Sequence, residues 1–230
     1  MNDILLHLAK NYSYNPLNFI EKIFKWNEGE LNGFFIQDWQ KEVLLHLYGK
    51  STKPIKVAVS SGNGAGKTTL ICFLILWFLS TRSRPKITVT SSRFSQLLST
   101  TWRELKIWKE RCLIGDLFEL TSQSIYLKGH QYDWSANAKS WNVANPQSFA
   151  GEHAKNMMIL FDEASGIPDV IWNVARGALT TSGSCYFIAF SNPTKRYGKF
   201  YECFSEKSTW KTKKVDIRTC SSSVINPEII

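Results

Sequence analysis

The sequence predicts an α/β fold, a mostly parallel central sheet flanked by helices, and three observations carry that prediction. β-Branched and aromatic runs alternate with segments of helical period along the 230 residues, the pattern of strand–helix–strand units. One such strand, ending at Ser60-Ser61, runs into Gly62-Asn-Gly-Ala-Gly66 and then Lys67-Thr68-Thr69 at the head of an apolar helix. Another, Met157-Met-Ile-Leu-Phe161, is apolar without a break and ends in Asp162-Glu163. A strand of that kind is covered on both faces of a parallel sheet.

Taken in order, Asn15-Pro16 reads as a cap and first helical residue, with Phe19, Ile20, Ile23 and Phe24 following at helical spacing. A second helix places Trp39, Val43, Leu44 and Leu47 on one face, and Gly49 closes it. The glutamines here carry chemistry. A carboxamide both donates and accepts, so Gln40, with Gln37 in reserve, suits the Watson–Crick side of adenine.

The strand–glycine loop–helix from Val57 to Thr69 is a phosphate-binding P-loop. Gly62, Gly64 and Gly66 let the backbone curl so that successive N–H groups converge on an anion at a helix N-terminus. Ser61, Gly62, Asn63, Gly64, Ala65, Gly66, Lys67, Thr68 and Thr69 are expected to wrap a nucleotide. In that frame Lys67 reaches the β/γ-phosphates and the Thr68 hydroxyl ligates Mg²⁺. Ser61 stands where the pattern has a glycine, a position that can demand an unusual backbone angle.

Leu70 to Leu79 is apolar all round and predicts a buried helix. Lys86 to Ser91 reads as a strand and Arg93 to Leu113 as one long helix, with Leu97, Thr101, Leu105 and Trp108 on its packing stripe. From Leu117 to Ala144, short β-prone pieces at Phe118–Thr121, Ser124–Leu127 and Trp141–Ala144 suggest a hairpin and an edge strand. Gln147 to Gly151 reads as a turn or short helix. Ligands collect at strand carboxyl ends, so Asp162 belongs beside the P-loop as a metal-side acid, and Glu163 is placed to orient or deprotonate a water. This assigns the chain to the RecA-like, ASCE class of P-loop NTPases, which carry a catalytic glutamate. Pro168 to Leu179 reads as a helix and Ser184 to Phe190 as a buried strand. Ser191-Asn-Pro-Thr194 is its polar exit, with Asn192 able to sense the γ-phosphate. Tyr197 to Phe204 reads as helical, and Trp210 to Ile217 as an exposed basic strand.

Composition bounds the partners. Hydrophobic residues make up 43% and the formal charge is +9, so a folded chain with affinity for polyanions, nucleic acid first, is expected. Basic residues between Lys195 and Arg218 interleave with Tyr197, Phe200, Tyr201 and Trp210. Five cysteines, at 72, 112, 185, 203 and 220, show no C-x-x-C spacing, which points to reduced thiols without structural zinc. No basic leader precedes an apolar stretch, and Leu70 to Leu79 is half of the ~20 residues of a membrane span; neither secretion nor insertion is expected.

Four stretches together resemble the N-terminal ATPase region of phage large terminase subunits: Asp38-Trp-Gln-Lys-Glu-Val43, Ser61 to Thr68, Ile159-Leu-Phe-Asp-Glu-Ala-Ser-Gly-Ile-Pro168, and Ser191-Asn-Pro-Thr194. The resemblance implies Mg²⁺-dependent ATP hydrolysis driving double-stranded DNA into procapsids, with a small terminase subunit and a portal protein as partners, a homo-oligomeric ring, and the cytoplasm of an infected or lysogenic bacterium as location. It implies Gln40 as adenine contact, Lys67 and Thr68 on phosphates and Mg²⁺, Asp162 as the metal-side acid, Glu163 as catalytic carboxylate, and Ser191 to Thr194 as the segment coupling hydrolysis to movement. The resemblance covers about residues 34–205, and the expected division is 1–50 as a helical segment with the adenine-contact motif packed on the core, 51–218 as the ATPase domain and 219–230 as a tail.

Two departures are visible. Asn63 stands where many large terminases carry an arginine, so Arg93, Arg103, Arg176, Arg196 or a neighbouring subunit would have to supply that charge. No carboxylate cluster apart from the ATP site marks a nuclease domain, and DNA cleavage is not expected. The alternatives are a helicase-like DNA-dependent ATPase and a nucleotide-binding remnant without turnover.

Overall fold

The apolar runs Val57–Val59, Met157–Phe161 and Cys185–Phe190 form central strands of an eight-stranded, mostly parallel sheet. The computed structural model describes residues 3–150, 154–179 and 183–220. In chain order these form α1 (Asp3–Tyr12), α2 (Pro16–Ile23), α3 (Asp38–His46), β1 (Ile55–Ser61), α4 (Lys67–Thr81), β2 (Lys86–Ser91), α5 (Phe94–Gln96), a π turn (Leu97–Trp102) and α6 (Arg103–Arg111). There follow β3 (Phe118–Leu120), β4 (Ser124–Leu127), β5 (Ser135–Ala138), α7 (Gln147–Ala150), β6 (Asn156–Asp162), α8 (Asp169–Ala178), β7 (Ser184–Ser191), α9 (Lys199–Glu202) and β8 (Lys211–Val215).

Sheet order is β3-β4-β5-β2-β6-β7-β1-β8. From β5 to β8 every pairing is parallel, and β3 and β4 extend one edge antiparallel. The decisive feature is that β7 lies between β1 and β6. Ser60 pairs with Ser191, and Ser91 pairs with Asp162. The carboxyl ends of β2, β6, β7 and β1 therefore form one continuous rim.

Alternation along the strands sorts two cores. Val57, Val59, Met158, Leu160, Tyr186 and Ile188 face α4 and the N-terminal helices, whereas Ala58, Ile159, Phe161, Phe187 and Ala189 face α8 and α9. Every residue of α4 from Leu70 to Thr81 is buried, as a helix apolar on all sides requires. Leu5, Leu8, Phe19, Ile20, Val43 and Leu44 belong to that same core. Arg82, just past α4, is only 5% exposed. Its guanidinium sits 5.0–6.0 Å from the rings of Tyr14, Trp77, Phe78 and Tyr186 and donates to the carbonyls of Ser13 and Thr81.

Several elements differ from the sequence expectation. α1 was not anticipated; Leu5 and Leu8 anchor it. The single helix expected over Arg93–Leu113 is broken by the π turn. Trp141–Ala144 is irregular, and the strand is Ser135-Ala-Asn-Ala138 instead, a run too small and polar to read as β. The Tyr197–Phe204 helix shrinks to one turn, α9. Of the Gln147–Gly151 segment, Gly151 lies outside the described residues, as do residues 221–230 of the expected tail.

Candidate nucleotide site

The P-loop leaves β1 at Ser61 and enters α4 at Lys67. Positive φ occurs at Gly64 (75°) and Gly66 (92°), the left-handed region that glycine enters without penalty. Ser61, where the pattern has glycine, stays extended as the last residue of β1 and its hydroxyl donates to the Gly62 carbonyl at 3.2 Å. Gly62 likewise needs no special angle.

Helix α3 holds this loop from below. Trp39 Nε1 donates to the Ala65 carbonyl at 3.1 Å, and Gln40 Nε2 donates to the Gly66 carbonyl at 3.0 Å. The other end of the Gln40 carboxamide accepts from Gln37 N at 2.9 Å, half of a capping box at the start of α3. Gln40, expected at the adenine, is thus engaged at both ends by protein in this state. Gln37 is the N-cap residue and is buried.

Lys67 is buried, and its ammonium donates to the Gly62 carbonyl at 2.9 Å and to Asn192 Oδ1 at 2.6 Å. Asn192 Nδ2 in turn donates to Asn63 Oδ1 at 2.6 Å. Burial lowers the Lys67 pKa, opposed by the negative charges of Glu163 and Asp162. Thr68 follows in the first turn of α4, and its hydroxyl has no hydrogen-bond partner among the described residues. Thr69 occupies the same turn, whose N–H groups lack intrahelical acceptors.

On the other side of β7, Asp162 ends β6 with 8% exposure. Its Oδ2 accepts from Thr101 Oγ1 at 2.9 Å and its Oδ1 from Glu163 N at 3.1 Å. Burial pushes the Asp162 pKa up; the Thr101 hydrogen bond opposes it, as do the Lys67 charge and the Glu163 N–H, while the Glu163 charge adds to the rise. Glu163 adopts a left-handed conformation (φ 49°, ψ 45°), a strained state for a side chain with a Cβ and one that clusters at functional sites. Its carboxylate makes no hydrogen bond with any described residue. Two strand spacings separate β1 from β6, so Val59 and Asp162, level through Phe190 of β7, stand about 10 Å apart across the sheet.

Hydroxyls tie the rim together beyond Asp162. Ser191 Oγ accepts from Ser165 N at 3.1 Å and donates to Ser165 Oγ at 2.8 Å, and Ser165 Oγ meets Thr194 Oγ1 at 2.8 Å.

The family model described as terminase large subunit, T4likevirus-type, N-terminal, matches residues 59–220. The chain belongs to this large-terminase family. A probable terminase large subunit of Enterobacteria phage P7 is 27% identical over 150 residues, covering 63% of this chain and 30% of the relative. The large terminase of a thermophilic bacteriophage, solved in complex with ADP, superposes with a TM-score of 0.63 at 15% identity, over 82% of this chain and 48% of that one. A mutant large-terminase ATPase domain of Thermus phage P74-26 gives 0.57 at 13% identity, over 80% and 82%. At these identities the superpositions establish a shared fold. The chain spans under a third of the curated relative's length and about half of the ADP-bound structure's.

The arginines named from sequence part company. Arg93 follows β2 and Arg196 follows β7, both exposed at the carboxyl rim, without ion-pair partners among the described residues. Arg176, at the far end of α8, instead shares a groove with Lys56, one residue into β1, at the opposite edge of the sheet. Arg103 is exposed on α6 beyond the π turn. A fifth, Arg218, adjoins the P-loop: β8 pairs Val215 with Ser61, and Ile217 lies against Gly62. Asp216 is held down at about 2 by hydrogen bonds from Arg218.

Thr101, Ser165 and Trp39 were missed as site residues. Thr101 and Trp39 read as packing positions, and Ser165 has no role of its own in the Ile159–Pro168 stretch. A threonine within an otherwise apolar stripe was the one available signal.

Proposed function

We propose that this chain is the Mg²⁺-dependent ATPase part of a large terminase, driving double-stranded DNA into a procapsid. The observation that supports it most is the insertion of β7 between the P-loop strand and the Asp162 strand. Lys67, Asn192 and Asp162-Glu163 then share one rim at the strand carboxyl ends.

Thr68 and Asp162 offer hard oxygen donors, which fit Mg²⁺. Among the described residues no three His, Cys, Asp or Glu side chains gather to cage a metal. Mg²⁺ characteristically takes only one or two protein ligands beside phosphate oxygens and water. When bound it neutralises charge on the phosphate oxygens. Lys67 transfers its ammonium from Asn192 and the Gly62 carbonyl to the β- and γ-phosphates, while N–H groups of the loop from Gly62 to Thr69 face them. Glu163, with a free carboxylate, orients the attacking water. Asn192, released from Lys67, senses the γ-phosphate, and Ser191 to Thr194 pass its displacement onward. Gln40 reaches the adenine only by giving up the Gly66 carbonyl or Gln37 N, so base binding and P-loop shape are linked. Asn63 supplies no positive charge, and Arg93 and Arg196 are positioned to supply one to this or a neighbouring subunit in a ring.

DNA contact is through phosphates, hence salt-sensitive and weakly sequence-specific. The Lys56–Arg176 groove and the basic segment through β8 are the surfaces for it. Small terminase subunit and portal protein complete the assembly in the bacterial cytoplasm, with residues 1–50 carrying the base contact and 51–218 the ATPase body.

The test is steady-state ATP hydrolysis with Mg²⁺, with and without double-stranded DNA, for wild type and Glu163→Gln. A drop of ~10² to 10⁴ in kcat, the scale of a general base, with ATP binding retained is the expected result. Equal turnover in both proteins would overturn the assignment of Glu163.

A further inference from the structure

We infer that Thr101 is a positioning residue for the divalent-cation subsite, and that the π turn carrying it is a strut between the P-loop helix and the Asp162 strand. The inference rests on the reading of Thr68 and Asp162 as cation ligands.

Two neighbouring threonines show what is special. Thr100 sends its hydroxyl to the Gln96 carbonyl four residues back, at 2.6 Å, the ordinary local choice of a helical threonine. Thr101, fully buried, instead donates 2.9 Å across to Asp162 Oδ2, 61 residues away in sequence. With Glu163 N on Oδ1, each carboxylate oxygen has one fixed donor and keeps lone-pair capacity for a cation. Two donors on opposite oxygens also set the plane of the group.

The backbone of Thr101 makes the second half of the strut. Its carbonyl accepts from Cys72 Sγ at 3.8 Å. Cys72 lies four residues beyond Thr68 in α4, so the two share a helix face. A chain of contacts thus runs from the Thr68 turn through Cys72 and Thr101 to Asp162. The π turn spans Leu97–Trp102 and has Leu97, Thr101 and Trp102 buried. π turns are rare and recur at functional sites; this one carries the hydroxyl that meets the buried Asp162 carboxylate.

The experiment measures Mn²⁺ binding to the protein–ADP complex by electron paramagnetic resonance. It compares wild type, Thr101→Val, Thr101→Ala, Thr101→Ser and Asp162→Asn, with ADP affinity in chelator and thermal midpoints recorded for each. Valine keeps the shape and removes the donor; serine keeps the donor and removes the methyl. Expected are a loosening of Mn²⁺ by about 10-fold in Thr101→Val, the scale of a lost hydrogen bond to a charged group, recovery to within about threefold in Thr101→Ser, and unchanged metal-free ADP affinity. Thr101→Ala carries the same expectation and serves if the valine variant does not fold. Mn²⁺ affinity unchanged in the donorless variants, or lowered equally by serine, would reduce Thr101 to a packing residue and overturn the inference. Failure of the underlying reading has a different signature: a wild-type ADP complex that takes no Mn²⁺, or Asp162→Asn binding it like wild type.

Discussion

Asn192→Ala is expected to tighten ADP binding while slowing ATP turnover. The Lys67 ammonium is held by Asn192 Oδ1 at 2.6 Å and by the Gly62 carbonyl, and in the proposed cycle diphosphate takes it from Asn192. A hydrogen bond to a charged group is worth ~1.5 to 3 kcal/mol. Lys67 keeps Gly62 and gains water in the variant, so about half of that value, roughly 1 kcal/mol, returns to ligand binding. ADP has no γ-phosphate for Asn192 to contact, so its Kd isolates this term and should fall by about fivefold. Turnover should fall at the same time, because the γ-phosphate loses its sensor. Tighter ground-state binding with a lower kcat is the pattern of a released ground-state constraint. Isothermal titration with ADP, beside steady-state ATP hydrolysis, makes the comparison. An ADP Kd that is unchanged or weaker would refute the competition between Asn192 and phosphate for Lys67.

Three further outcomes are expected. A Cβ at Gly166 would lie 2.6 Å from Ser92 Cβ, so Gly166→Ala should cost ~1 to 3 kcal/mol in urea unfolding and, by shifting the turn after Glu163, lower kcat more than nucleotide affinity. Arg82→Ala removes a guanidinium packed among four rings and should cost roughly 3 kcal/mol; a loss below ~1 kcal/mol by chemical denaturation would show the cage to be incidental. Burial pushes the Cys112 and Cys203 thiols up to about 12, above their unfolded value of ~8.5. The stability this contributes is complete below about pH 8.5 and is lost as pH rises toward 12, so the urea midpoint should decline above pH 9 and neither thiol should alkylate at pH 8 until the chain unfolds.

How far the sequence was legible follows from which forces are local. β6 and β7 were readable because a strand buried on both faces admits only apolar residues, and α4 because Leu70 to Leu79 has no polar face. The P-loop was readable because Gly64 and Gly66 need positive φ and Lys67 follows at a fixed offset. β5 was not, since Ser135-Ala-Asn-Ala138 gains its β structure from pairing with β2 and β4 rather than from its own side chains. The π turn has no local signature at all. Its hydroxyl goes to a carboxylate that sequence pattern places 61 residues downstream, and the Thr101 position satisfies the helical stripe equally well as packing. Gln40 carries a two-way hydrogen-bonding group, and its two ends meet Gln37 N and the Gly66 carbonyl, partners that only the packing of α3 under the loop reveals.

The sheet order explains why residues so far apart in sequence respond to one event. Because β7 sits between β1 and β6, its carboxyl end touches both halves of the site: Asn192 holds Lys67 and Asn63 on the P-loop side, and Ser191, one residue earlier, holds Ser165 on the Glu163 side. Adjacent residues in a strand point to opposite faces, so a small displacement of this strand end moves both contacts at once. In the proposed cycle, withdrawal of Lys67 from Asn192 by an incoming phosphate would act on the turn that carries Glu163, through Ser191 and Ser165, and reach Thr194 through the same hydroxyl. In the proposed cycle the arrival of nucleotide and the alignment of the catalytic carboxylate are one rearrangement of β7, and the Ser165–Thr194 contact is where that rearrangement leaves the site.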